Sequence, residues 1–226
     1  MSTYFIASPI TPQTSSARVR ALHAEGPYDA LYRAGVRWPD RPGRMVRRVA
    51  ERERPGSCLD LGCGDGKNLA YLERLGWTVD GIDISSCALD AARHRLATAQ
   101  IGQRGTLLHR DVAEMRVEMT YDVVLAYGLF HCIDDRRLGR TAAMIAEAVR
   151  PNGRLIVATF NDEMPMPANH GTGSIFLRPR GTIFALFPKW IAEEVEYGSI
   201  LEDHLPVIGA HEHSLTWAVL RKPCPI

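Results

Sequence analysis

Short apolar runs alternate with amphipathic stretches along most of this chain. The runs are residues 57–61, 78–84, 106–108, 121–126 and 155–159, and between them residues 68–75, 87–98 and 136–149 place apolar side chains at helical spacing. Strand, helix and strand repeated in this way predict an α/β fold, a doubly wound and mainly parallel sheet with helices on both faces. The run Tyr121-Asp122-Val123-Val124-Leu125-Ala126 is almost continuously apolar, as a parallel strand covered on both faces must be. Ahead of the repeat, residues 43–54 form an amphipathic run with Met45, Val46 and Val49 on one face, stopped by Pro55-Gly56. Behind it, residues 161–180 carry Pro165, Pro167, Pro179 and several glycines, which suits a loop or lid. Residues 190–197 and 215–221 look like strands, separated by a polar stretch with Pro206 and Gly209, and are expected to close the sheet as an antiparallel pair. Residues 1–42 are periodic only at 17–23 and 28–33. The expected organisation is a partly ordered N-terminal cap over 1–42 and one domain over 43–226, in which 161–190 form a lid or substrate-enclosing insertion.

The chain has 226 residues, enough for one domain with appendages. Its 27 Lys+Arg against 26 Asp+Glu give a formal net charge of +1. That balance supplies no field for a polyanion, so no nucleic-acid partner is expected and a small-molecule substrate is. The apolar runs fall far short of the roughly 20 residues that cross a bilayer, so no membrane partner is expected either. Residues 1–9 lack a basic region followed by an apolar core, and the five cysteines, at 58, 63, 87, 132 and 224, show no C-x-x-C pair. Reduced thiols in a cytoplasm, and a monomer or homodimer, are the expectation.

The sharpest signal follows the first strand: Leu59-Asp60-Leu61-Gly62-Cys63-Gly64-Asp65-Gly66-Lys67-Asn68. Glycines there permit a sharp turn and let a ligand approach backbone N–H groups near the positive end of a helix. A glycine-rich turn serving only the backbone is the plainer alternative. The second predicted strand ends in Asp83, where a carboxylate can accept from both hydroxyls of a ribose laid across the sheet; otherwise it caps the helix that begins near Ser85. The dinucleotide fingerprint is G-x-G-x-x-G, whereas these glycines are spaced G-x-G-x-G with Asp60 two positions ahead.

The Asp-x-Gly-x-Gly-x-Gly order resembles motif I of class I S-adenosylmethionine-dependent methyltransferases, a Rossmann-like family. Asp60, Gly62, Gly64 and Gly66 match that motif and Asp83 the second. The resemblance runs over about residues 55–161. By it, Arg110-Asp111-Val112-Ala113 looks like the adenine contact, with Asp111 accepting from the exocyclic amine and Val112 packing on the ring. Residues 122–131 look like motif IV, and Val149-Arg150-Pro151-Asn152-Gly153-Arg154-Leu155 like the link into the fifth strand. The resemblance implies S-adenosylmethionine as cofactor, leaving as S-adenosylhomocysteine. Its binding set would be Asp60, Gly62, Cys63, Gly64, Gly66, Asn68, Asp83, Ile84, Asp111, Val112 and Tyr127. Tyr28-Asp29-Ala30-Leu31-Tyr32-Arg33 resembles the cap of small-molecule methyltransferases, so Tyr28, Tyr32 and also Arg33 or Trp38 are cofactor-contact candidates, with a solvated amphipathic helix as the alternative. Residues 211–223 resemble the terminal strand of the tellurite-resistance and thiol-type branch.

Methyl transfer needs orientation, a dry pocket and, for an acceptor of high pKa, a base. His131, just past the fourth strand, is the catalytic candidate; a helix-start histidine bonded to backbone is the alternative. Tyr127 is expected to be a wall of the pocket. Cys63 is expected to be small rather than reactive, because Asp60 and Asp65 would raise its pKa. His204, His211 and His213 lie near Glu202, Asp203 and Glu212, and His-x-His on a strand puts two imidazoles on one face. No third ligand stands at a recognised spacing, so no metal is expected. Residues 182–190 are apolar enough to line a pocket or to be a sheet-covering helix, and Arg178 and Arg180 either meet an acidic substrate or are solvated. The acceptor atom, O, N, S or C, is not encoded in any motif. Two other functions share the sheet: a nicotinamide-dependent oxidoreductase, which lacks its glycine spacing here, and a cofactor-binding protein without turnover.

Overall fold

The structure is a computed structural model that describes residues 27–36, 38, 40–166, 175–204 and 208–225. The periodic segment predicted at 17–23, residue Pro206 and the stretch 167–174 of the expected lid lie outside the described residues. In chain order the elements are α1 (Pro27–Arg33), α2 (Arg44–Arg52), β1 (Ser57–Leu61), α3 (Lys67–Arg74), β2 (Thr78–Asp83), α4 (Ser86–Thr98), β3 (Leu107–His109), β4 (Tyr121–Tyr127), α5 (Asp135–Ala148), β5 (Val149–Phe160), α6 (Thr182–Leu186), β6 (Ile191–His204) and β7 (Ile208–Arg221). Single 3-10 turns, Val112–Glu114 and Phe130–Cys132, follow β3 and β4.

The strands form one sheet in the order β3-β2-β1-β4-β5-β7-β6. β1 to β5 pair in parallel, and β7 pairs antiparallel with both β5 and the edge strand β6. The expected doubly wound sheet closed by an antiparallel pair is what the chain forms. Alternation along the strands fills two cores. Leu59, Leu61, Val124, Ala126, Leu155 and Val157 point to the face covered by α5 and α6, while Cys58, Val123, Leu125, Ile156 and Ala158 point to the face where Met45, Val46 and Val49 of α2 pack with Leu69 of α3. The uninterrupted apolar run of β4 is thus the record of burial from both sides. Among the described residues no helix is long and apolar enough to cross a membrane.

The closing pair is longer than its sequence pattern suggests. The polar stretch expected to separate the two strands is itself paired, in a ladder that runs from Ile191↔Arg221 to His204↔Ile208. Polarity does not end a strand whose faces meet solvent or charge. Glu194 and Glu196, two apart on β6, face Arg44, Arg48 and Arg52, four apart on α2, and ion pairs lock the two stripes in register. Residues 182–190 resolve in favour of the sheet-covering reading: Ile183 and Phe187 are buried in the core, and Phe187 meets Phe130 edge to face at 6.4 Å.

Candidate active site

β1 delivers the chain into the glycine turn at the carboxyl end of the sheet, where ligands of such folds bind. Gly62, Gly64 and Gly66 all adopt left-handed φ, at +69°, +56° and +77°, a region costly for residues with a Cβ. At Gly66 a Cβ would also lie 2.9 Å from that of Ala92, so this glycine lets α3 and α4 approach. The Gly62 and Cys63 N–H groups donate to the Ile82 carbonyl at 2.8 and 3.0 Å, tying the turn to β2. Burial first, then Asp83 and Asp60, pushes the Cys63 thiol well above its usual range, which fits a small, inert filler.

Asp60 is 1% exposed, and its Oδ2 has no hydrogen-bond partner among the described residues. Burial, followed by the charge of Asp83, pushes its carboxyl up to about 7, with Lys67 acting in the opposite sense. An unfolded carboxyl ionises near 4, so between about pH 4 and 7 the native state holds a proton that the unfolded chain has lost. The stability this group contributes is therefore full below about pH 4 and is lost as pH rises through about 7. Urea unfolding of the ligand-free protein across that window should show Asp60→Asn losing less stability than the parent; parallel curves would refute it.

Asp83 ends β2 with its carboxylate pinned in place. Oδ2 accepts the Gly64 N–H at 2.8 Å and Oδ1 the Ser85 N–H at 2.9 Å. The cap of α4 is Ser85 itself, whose Oγ accepts the Ala88 N–H at 3.0 Å, so the helix-capping alternative for Asp83 does not hold. Burial raises the Asp83 carboxyl, opposed first by the Ser85 and Gly64 N–H groups. Ile84 beyond it is 46% exposed, an apolar side chain held open beside the carboxylate. Past the end of β3 Val112 is buried, while Asp111 caps the 3-10 turn through Ala113 N–H and pairs with Arg137 at 3.0 Å. Asn68 turns inward, its Oδ1 accepting the Gly43 N–H at 2.8 Å, which docks the start of α2 onto the turn.

The cap helix α1 lies over this end of the sheet, held by a residue that the sequence pattern did not single out. Asp29, 7% exposed, accepts from Ser85 Oγ at 2.6 Å and Cys87 N–H at 3.2 Å, a negative charge at the N-terminus of α4. The Tyr32 hydroxyl then sits above the glycine turn, 3.0 Å from where a Gly64 Cβ would be, and Tyr28 meets Cys132 Sγ at 2.9 Å. Burial first, with Asp83 also contributing, raises both phenols. Trp38 tilts against Tyr32 at 5.1 Å, whereas Arg33 is exposed.

At the end of β4 two expectations change. Tyr127 lies against Gly43, where a Cβ would meet its ring at 2.4 Å, so it fastens α2 as well as forming a wall. His131 is 6% exposed and stacks on Phe160 at 3.9 Å. Its Nδ1 accepts the Phe160 N–H at 3.1 Å, which sets the neutral ring as an Nε2–H donor. This is the backbone-bonded alternative, and in this geometry the imidazole offers a proton rather than a lone pair. Arg178 is neither solvated nor open to an acidic substrate: it donates to the Phe130 and Ile133 carbonyls and pairs with Asp135 at 2.8 Å, strapping residues 175–180 to the turn after β4. Arg180 pairs with Glu163 at 3.0 Å. The view that His211 and His213 lack a third ligand also changes, because Glu202 reaches them from β6.

Residues 59–155 match the family model described as a methyltransferase domain. Over that segment, less than half of its length, the chain is similar to a methyltransferase domain. The match spans β1 to the start of β5, so it contains the glycine turn, Asp83 and Asp111. A ribosomal RNA small subunit methyltransferase C from Alcanivorax borkumensis is 33% identical over 115 residues, 50% of this chain and 34% of that protein. A mitochondrial ubiquinone biosynthesis O-methyltransferase from Schizosaccharomyces pombe is 31% identical over 104 residues, 46% of this chain and 37% of that protein. The chain thus spans about a third of the length of these relatives. Among solved structures, TehB from Haemophilus influenzae superposes with a TM-score of 0.69 at 18% identity, covering 80% of this chain and 62% of that one. At that identity the likeness concerns the fold. The glycine turn, Asp83 and Asp111 follow one another along the matched segment, and the sheet closes beyond it with the antiparallel pair.

Proposed function

We propose that this protein transfers a methyl group from S-adenosylmethionine to a small-molecule acceptor. The observation that carries the reading is the acceptor set of the glycine turn: Asp60 Oδ2 buried with no hydrogen-bond partner among the described residues, and the Asp83 carboxylate oriented by two backbone N–H groups. That set fits a ligand with a cationic amine at one end and a vicinal diol at its middle. In this reading the 62–66 turn wraps the amino-acid part, with Asp60 taking its ammonium. Asp83 accepts from the ribose hydroxyls. Ile84 and Val112 sandwich the adenine, Asp111 accepts from its amine while held by Arg137, and Tyr28 and Tyr32 cover the site. When bound, the cofactor supplies an electrophilic methyl group on a good leaving group.

The chain's own contribution is then orientation and exclusion of water. In this reading the acceptor meets the methyl group beside the end of β4; the space between that strand end and the strapped segment 175–180, lined by Phe130, Thr159, Phe160, Asn161 and Phe176, measures only about 10 Å³ and is too small to hold it. A small acceptor is favoured by the charge balance and by the likeness to a ubiquinone biosynthesis O-methyltransferase. Calorimetric titration with S-adenosylhomocysteine, with NADH in parallel, tests the class: micromolar binding of the first alone is expected, and binding of NADH alone or of neither would overturn the reading. Mass-spectrometric turnover against thiols, phenols, amines and carboxylates then separates an enzyme from a binder without turnover.

A further inference from the structure

The β6–β7 hairpin brings together three side chains that the methyl-transfer reading does not use. Glu202 of β6 pairs directly with His211 of β7, and His213 lies two residues further along the same strand. Cross-strand partners and i, i+2 neighbours share a face, so all three project to one side. One ligand atom from each lies within 4.8 Å of the others. His213 Nε2 stands 3.6 Å from Glu202 Oε2. That is too long for a hydrogen bond, but two ligands about 2.0–2.1 Å from a tetrahedral ion are themselves about 3.4 Å apart.

The surroundings orient these groups as metal ligands are oriented. His211 Nδ1 donates to the Gly209 carbonyl at 2.7 Å, which selects the tautomer whose Nε2 carries the lone pair. His213, 2% exposed, is fixed by stacking on Phe160 at 4.1 Å, and Phe160 in turn stacks on His131. Phe160, on which His213 stacks, is the last residue of β5, so the cluster lies at the carboxyl end of the parallel strands, the end that carries the glycine turn.

We propose that Glu202, His211 and His213 bind a divalent transition-metal ion of the zinc class, with three protein ligands and a fourth position open to water or a ligand heteroatom. Two imidazoles and one carboxylate are borderline-to-hard donors, which suit zinc or cobalt rather than magnesium or a thiophilic ion. Methyl transfer is not required for this site, so its test is independent of the cofactor.

Metal-stripped protein is titrated with Co2+ and its visible d–d absorption recorded, then Zn2+ is added in competition. One equivalent of Co2+ with a tetrahedral or five-coordinate spectrum, displaced by Zn2+, is expected. His213→Ala should weaken binding on the order of a hundredfold, since each ligand supplies a share of the site's affinity. Because that change also removes a ring from the aromatic stack, Glu202→Gln is the companion variant. It leaves the stack intact and should weaken Co2+ binding as well, with an unaltered unfolding temperature in metal-free buffer. Lack of a stoichiometric spectrum in the parent, or a spectrum unchanged in both variants, would overturn the site and leave a His–carboxylate pair of structural use only.

Discussion

Asp83→Ala should lower S-adenosylhomocysteine affinity by a factor between about a hundred and ten thousand, because two charge-assisted hydrogen bonds to the ribose are worth roughly 1.5–3 kcal/mol each. The structure adds a second reason. The carboxylate that would receive the hydroxyls also accepts from Gly64 and Ser85, so its removal loosens the turn as it deletes the contact. Asp83→Asn preserves shape but turns one acceptor into a donor that faces the Gly64 or Ser85 N–H, so affinity should still fall well over tenfold and the melting temperature should fall as well, by less than in the alanine variant. Calorimetric titration of both variants, with a melting curve for each, is the measurement. An alanine variant that binds within threefold of the parent would remove Asp83 from the proposed site.

The largest effect on stability is expected far from that chemistry. Glu73, in the last turn of α3, is 0% exposed. Its carboxylate accepts the Val79 N–H at 3.2 Å, the Gly105 N–H at 3.1 Å and, from Arg104, both the backbone N–H and Nη1 at 3.1 Å. It is the acceptor on which the α3–β2 and α4–β3 connections converge. Glu73→Ala takes the acceptor from the buried Val79 N–H and from the part-buried Arg104 and Gly105 N–H groups together and should cost about 3–5 kcal/mol. For a chain of this size that lowers the melting temperature by roughly 6–20 °C. Arg104→Ala removes only the half-exposed partner and should cost about 1 kcal/mol or less. Differential scanning calorimetry of the two variants decides it; equal, small shifts would mean that Glu73 is an ordinary surface acid.

The positions that sequence reasoning found and those it missed differ in a physical way. Asp60, the three glycines and Asp83 are legible because a sharp strand-to-helix turn and a strand-end carboxylate are local: the constraint and the residues that meet it lie within a few positions of each other. The capping role of Ser85 is local too. Asp29 and Glu73 were out of reach for the opposite reason, and Glu202, though noted near the histidines, could not be told from Asp203 and Glu212 as their partner. Asp29 meets Ser85 across 56 positions, Glu73 meets Arg104 across 31, and Glu202 meets His211 only once the hairpin has paired. As isolated residues, each reads as a solvated acid on a helix or strand.

His131 shows the same division within one side chain. Its place after the fourth strand follows from the chain order, and with it the idea of a base. Whether an imidazole is a base or a donor depends on what meets each nitrogen, and here that is the N–H of Phe160, 29 positions away. Periodicity and short motifs by themselves determined the α/β order, the doubly wound sheet, the glycine turn and the family. Burial from both sides of a strand and the geometry of a turn leave their mark in adjacent residues. The antiparallel insertion of β7 between β5 and β6, the full length of that hairpin, the strap at Arg178, the upward shift of the Asp60 carboxyl and the tautomer of His131 were decided by the tertiary structure alone. Each depends on which distant groups come within a few ångströms, and therefore on which charges and lone pairs water can still reach.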